Sequence, residues 1–198
     1  VGVGRGDAFD AVALAHTPNL DDLASGSCRT LRAHGTAVGL PSDADMGNSE
    51  VGHNILGAGR IFDQGAKRVD NAIESGSIWK SDAWQRIVDR CADGGGTLHL
   101  IGLLSDGNVH SNISHLFEIL RRADDDGIST IRIHALFDGR DVIDQTAETY
   151  LAQLQAMLAA VRDEFGITAV VGSGGGRMAT TMDRYEADWT IVERGYHA

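Results

Sequence analysis

At 198 residues the chain can hold one large domain or two small ones, and 42% hydrophobic residues is enough for an ordinary core. A net charge of -11 and a pI near 5.0 argue against a nucleic-acid coat or a binder of anionic membranes, so a site for an anion needs locally clustered arginines. Two distant cysteines, Cys28 and Cys91, exclude a disulfide framework or zinc ribbon and suit a reducing cytoplasm, and no apolar run approaches the ~18 residues of a membrane span.

Glycine is abundant, with 25 copies, about 13% of the chain against a usual ~7%, which favours tight turns and loops that approach ligands. Residues 1–6, VGVGRG, read as a loop after a strand, yet no strand precedes them and the first residue is not methionine. The chain is therefore expected to be an excerpt. Thr17 to Asp21 is a good helix start, with Pro18 early and Asp21 and Asp22 complementing the dipole, and the helix is expected to lie on the surface. His16 and His34 are isolated and receive no role. Residues 36–40 form a short semi-apolar strand or loop that leads into LPSDADMGNSEVGHNILGAGR, residues 40–60.

In that stretch Asp45, Gly47 and Asn48 are turn formers, and Ser49 stands where a helix can begin, with Glu50 in its first turn. A serine there faces free backbone N–H groups and suits an incoming phosphate. Local pattern alone favours a simple helix cap over a nucleophile. The spacing is not the Gly-x-Ser-x-Gly elbow, and His53 is the one obvious general base beside it.

Residues 64–73 and 81–91 look helical, with Trp84, Ile87, Val88 and Cys91 on one face, and a boundary is expected near 61–67. From residue 97 strand, polar loop and helix alternate. TLHLIGLL (97–104) ends in Ser105-Asp106-Gly107; a helix from about Ser111 carries Ile113, Leu116, Leu120 and Ala123, and Gly127 closes it. IRIHALF (131–137) ends in Asp138-Gly139-Arg140-Asp141. Leu151, Leu154, Leu158, Val161 and Phe165 stripe the next helix, and a third strand over 168–171 runs into a loop, Ser173 to Arg177. This βαβαβ order implies parallel strands, with all three polar loops gathered at the carboxyl edge of one sheet, where open α/β folds bind ligands.

Arg140 and Arg177 each offer a planar fork of donors for carboxylate or phosphate, and Arg184 follows in MDR. His110 and Asp141 are the candidates for contact or proton transfer; an aspartate beside an arginine suits a general base able to take a hydroxyl proton and return it. A metal reading of Asp106, His110 and His115 is rejected, because two histidines and one aspartate around a turn supply no clear coordination set.

Residues 40–60, IGLLSDGNVHS (101–111), FDGRDV (137–142) and SGGGRMATTMDRYEADW (173–189) together resemble the cofactor-independent phosphoglycerate mutases of the alkaline phosphatase superfamily, in that family's order and roughly its spacing. The resemblance implies an α/β fold: an alkaline-phosphatase-like domain, incomplete here and contributing residues 1–63, with an inserted α/β phosphotransferase domain of which 64–198 are part. It implies that Ser49 is the phosphorylated nucleophile and a metal contact, that Asp141 is the acid/base, and that His110, Arg140, Asp141, Arg177 and Arg184 bind substrate. The implied reaction moves the phosphoryl group of 3-phosphoglycerate to Ser49, reorients glycerate, and returns the group to O2. Two divalent ions, manganese with magnesium or cobalt as alternatives, would lower the serine pKa, and no 2,3-bisphosphoglycerate would be needed.

The wording of 173–189 is closest to the longer branch of that family, found in plants and kinetoplastids, but Ala179 stands where tyrosine is common and Asn108 where glycine is usual. The family's remaining metal aspartates and histidines, further arginines and active-site lysine would lie outside residues 1–198, so this chain alone is expected to be inactive. A small-molecule phosphoglycerate is the expected partner, with no nucleic acid or membrane, and the protein is expected to be a cytoplasmic monomer. Two alternatives stay open: a metal-dependent phosphohydrolase of the same superfamily, disfavoured by DGRD and MDR, and a non-catalytic phosphoglycerate-binding fragment.

Overall fold

The structure, a computed structural model, describes residues 4–93, 95–182 and 185–198. The chain divides into two compact units, Val1–Arg32 and Ala33–Ala198. The first holds two short helices, α1 (Ala11–Leu14) and α2 (Pro18–Ser25). Asp10 caps α1 by accepting from the Val12 and Ala13 N–H groups, and Pro18 opens α2 at a position where a missing N–H costs nothing. None of the described side chains of this unit is buried, so α2 is the surface helix its sequence implies.

The second unit begins with a 3-10 turn, Gly35–Val38, where the sequence suggested a strand or loop. A turn into α3 (Ser49–Ala58) follows, and Val38, Leu40 and Val51, with Ile55 against them, form a small core of their own. Gly47 in that turn is required by contact: a Cβ there would lie 1.8 Å from the Ala33 carbonyl oxygen. Next come α4 (Gly65–Glu74) and α5 (Asp82–Cys91), the latter capped by Ser81.

Three strands and two long helices then alternate: β1 (Leu98–Leu103), α6 (Ile113–Asp125), β2 (Thr130–Phe137), α7 (Ala147–Phe165) and β3 (Thr168–Gly176). The sheet is parallel, in the order β1-β2-β3. Period-two alternation turns Ile131, Ile133 and Ala135 of β2 inward, where they meet Trp84 and Cys91 of α5, Leu120 and Ala123 of α6, and Leu154 and Val161 of α7. At the end of α6, Arg122 grips Asp126 with Nε and Nη2 at 2.8 and 2.9 Å, and the Trp84 indole donates to the same carboxylate at 2.7 Å, fastening α5 to α6.

One expectation is corrected. Residues 173–176 are not a loop but the second half of β3, paired with His134 through Phe137 of β2. At Gly174 the pairing calls for glycine, because a Cβ there would come within 2.9 Å of the Ala135 carbonyl oxygen; the run that reads as a flexible turn is strand. The chain passes from β3 straight into α8 (Arg177–Thr180), and α9 (Trp189–Tyr196) lies beyond.

Candidate functional site

The carboxyl ends of the three strands converge on one buried carboxylate. Asp138, the first residue after β2, accepts from Ser105 Oγ at 2.6 Å, from the Arg140 N–H at 3.1 Å and from the Asp141 N–H at 2.9 Å, and lies 3.5 Å from Arg177 Nη1. It thus ties together the segments after β1, β2 and β3. Burial opposes its ionisation, but the two backbone N–H groups, the serine hydroxyl and the arginine outweigh that and hold its carboxyl below the usual range.

Arg177 is buried, 4% exposed, and its Nη1 donates to Asp141 Oδ2 at 2.8 Å. Its Nε and Nη2 are also buried and have no hydrogen-bond partner among the described residues. Nε and Nη2 form one bidentate edge of the guanidinium, so an oxyanion with two free oxygens would satisfy both orphaned donors at once. His110 Nε2 stands 4.0 Å from Asp141 Oδ2 on an exposed side chain, at the rim of a cavity of about 250 Å³ that Val69, Asn108 and His115 also line.

The structure therefore brings together His110, Asp141 and Arg177. Arg140 shares the loop of Asp141, yet its side chain is exposed and its guanidinium makes a weak contact with Met182 Sδ at 3.8 Å. Arg184 lies outside the described residues. Asp106 accepts from the Tyr150 hydroxyl at 2.5 Å; burial first, then this bond and the negative charge, push the phenol up to about 12. His115 faces Asp70 of α4 at 2.7 Å, so Asp106 and His115 each have their own partner.

Ser49 opens α3 but does not cap it. Asn48 is the cap, its Oδ1 accepting the Val51 N–H at 3.0 Å, which leaves the Ser49 hydroxyl exposed at the first helical position. That hydroxyl is 3.2 Å from His53 Nδ1, and the same Nδ1 is 2.6 Å from the Ser49 carbonyl oxygen. A carbonyl can only accept, so Nδ1 carries the hydrogen, by assignment from this contact, and has no lone pair for the serine proton. His53 is not the general base that its position in the sequence suggested.

A hydrogen bond links the turn before Ser49 to the crevice: Asn108 Nδ2 donates to Asp45 Oδ1 at 2.7 Å. Burial opposes the charge on Asp45, but the bonds from Asn108 and from the Ser42 hydroxyl and N–H prevail and lower its pKa. Asp138, Ser105 and the Asp45–Asn108 pair were not singled out from the sequence as site residues. An aspartate at a strand end followed by glycine is a signal for a side chain that captures N–H groups two and three residues ahead, and Asp138 does so.

The arrangement is one for holding an anion beside a carboxylate able to carry a proton. Residues 69–198 match the family model described as BPG-independent PGAM N-terminus. The chain is 54% identical to the 2,3-bisphosphoglycerate-independent phosphoglycerate mutase of Trypanosoma brucei brucei and 50% identical to that of Ricinus communis, with all of this chain covered and 36% and 35% of theirs. It superposes on a Leishmania mexicana phosphoglycerate mutase, crystallised at low cobalt concentration, with a TM-score of 0.87 and 52% identity over 100% of this chain and 36% of that one. The chain thus spans about a third of the length of the curated relatives it matches.

Proposed function

The chain belongs to the BPG-independent phosphoglycerate mutase family, and from that premise we propose that the protein carrying it interconverts 3-phosphoglycerate and 2-phosphoglycerate through a phosphoserine at Ser49. The observation that carries the proposal is the buried Arg177, which offers two N–H donors without a partner among the described residues while Asp141 and Asp138 hold its other end. His110 and Arg140, with Arg184 by resemblance, add positive or polar groups for a carboxylate and a phosphate.

In this reading the Ser49 Oγ bonds to phosphorus as the P–O3 bond breaks, and the electron pair of that bond goes to O3. Ser49 gives up its hydroxyl proton to solvent in this step and takes one back from solvent when the phosphoryl group leaves. O3 gains a proton and, after glycerate turns in the crevice, O2 loses one as it attacks the phosphoserine. Asp141 carries that proton, so its protonation state is restored each cycle. Arg177 and Arg140 keep the glycerate from escaping between the two transfers and place its oxygens for attack.

Two divalent ions, manganese with magnesium or cobalt as alternatives, are proposed from the family resemblance, with Ser49 as a contact. The described residues do not make such a site by themselves: they contain no cluster of three His, Cys, Asp or Glu that could hold a metal ion. No step is therefore drawn through a metal. The division near residue 63, a cytoplasmic location and a monomeric state belong to the same proposal; for membranes, no helix of the described residues is long and apolar enough to cross one.

The test is the fate of the phosphoryl group in Asp141→Asn. The intact variant protein should still bind phosphoglycerate and form 2-phosphoglycerate at least ~100-fold more slowly than the parent. A variant that loses isomerisation but releases free phosphate as fast as the parent would favour the hydrolase, and a normal rate would remove Asp141 as the proton carrier.

A further inference from the structure

We propose that Asn108 is a positioning residue that sets the distance between the Ser49 segment and the anion crevice; this rests on the reading of Ser49 as phosphoryl acceptor. Asn108 uses both ends of its carboxamide. Nδ2 donates to Asp45 Oδ1 at 2.7 Å, and Oδ1 accepts from Asn112 Nδ2 at 2.6 Å. The orientation is fixed by chemistry, since a carboxylate can only accept and an amide nitrogen can only donate.

Each side of this bridge is anchored. Asn112 caps α6, its Oδ1 taking the Ser114 N–H at 2.8 Å and the Ser114 hydroxyl at 2.7 Å, and the Asn108 N–H donates to the Ser111 carbonyl at 3.2 Å. On the other side Asp45 Oδ2 holds the Ser42 N–H and hydroxyl at 2.7 and 2.8 Å, and the Asp45 carbonyl accepts from Gly35 at 3.0 Å. Asn108 has φ 58°, in the left-handed region that asparagine and glycine tolerate. His110 follows two residues after Asn108, and Ser49 follows four after Asp45. The Asn108–Asp45 hydrogen bond, across 63 residues of sequence, therefore joins the nucleophile's turn to the loop that carries a crevice residue.

Asn108→Gly in the intact protein removes the carboxamide and keeps an unstrained backbone. The rate of Ser49 phosphorylation by 3-phosphoglycerate should fall on the order of ten- to a hundredfold, the size of loss expected from misplacing a reacting group. KM should change less than about threefold, because Asp138 still holds Arg177 and Asp141. Asn108→Asp sets two carboxylates face to face and should be slower still. The reciprocal pair, Asp45→Asn with Asn108→Asp, restores a donor facing an acceptor. The amide introduced at position 45 would donate to the carboxylate introduced at position 108 and turn its oxygen to Ser42, while that carboxylate still accepts from Asn112. The double variant should recover to within about threefold of the parent, a rescue that a merely structural role does not produce.

Should Asn108→Gly lose cooperative unfolding, Asn108→Asp against the reciprocal pair carries the test. An unchanged phosphorylation rate in Asn108→Gly, or a reciprocal pair no faster than Asn108→Asp, overturns the inference while leaving the functional reading intact. A parent protein that forms no phosphoserine overturns both.

Discussion

Asp138 is the residue whose loss the site should tolerate least. Asp138→Ala strips the acceptor from the Ser105 hydroxyl and from two backbone N–H groups, and takes away one of the two carboxylates beside the buried Arg177. Each stranded donor costs ~1–3 kcal/mol, and partial entry of water relieves some of this, so the loss should be about 3–5 kcal/mol. For a chain of this size that corresponds to a fall in Tm of roughly 10 °C. Asp138→Asn keeps an oxygen for the two N–H groups and loses only the charge, so it should cost about 1–2 kcal/mol.

The pH dependence has a definite sign. The native carboxyl titrates below its unfolded value of ~3.9, so the charge stabilises the fold above that value, and this contribution is lost as pH falls through the native pKa. Urea unfolding of the parent and Asp138→Asn, followed by tryptophan fluorescence, should show a constant gap from about pH 8 to 5 that closes below about pH 4. Equal costs for the alanine and asparagine variants, or a gap that widens in acid, would refute the assignment of Asp138 as an ionised hub.

Arg140→Lys in the intact protein should weaken phosphoglycerate binding by about 1–3 kcal/mol, since the charge stays but the planar fork is lost; an unchanged Kd by calorimetry would take Arg140 out of the site. Tyr150→Phe should leave the ultraviolet tyrosinate titration unaltered up to about pH 11, because the Tyr150 phenol is held up to about 12, and remove only a late component; a loss of signal near pH 10 would show that the bond to Asp106 is absent.

The alternation from residue 97 onward was legible because its strands and helices have opposite hydrophobic periods: Ile131, Ile133 and Ala135 repeat every two residues, Ile113, Leu116, Leu120 and Ala123 every three or four. The carboxyl-edge clustering of Asp141 and Arg177 followed from topology alone. What escaped depends on contacts that local pattern does not carry. Gly174 reads as part of a loop because its reason for being glycine, the approach of the Ala135 carbonyl of β2, lies 39 residues away in the chain. Asn48 and Ser49 are both good caps, and only the Val51 N–H direction decides between them. Asp45 and Asn108 are ordinary turn residues until the fold sets them face to face. The assignment of Ser49 itself rests on the long resemblance, since its local geometry, with His53 committed to a carbonyl, supplies no base among the described residues.

The most direct test of the account is to mix the intact protein with 3-phosphoglycerate, quench in acid within one turnover, and map the modified residue by peptide mass spectrometry. One added phosphoryl group should appear on Ser49 before 2-phosphoglycerate forms, and both should be lost in Ser49→Ala, which should keep the parent's Tm because the Ser49 side chain is exposed. Isomerisation without phosphate on Ser49, or undiminished turnover by Ser49→Ala, would contradict it.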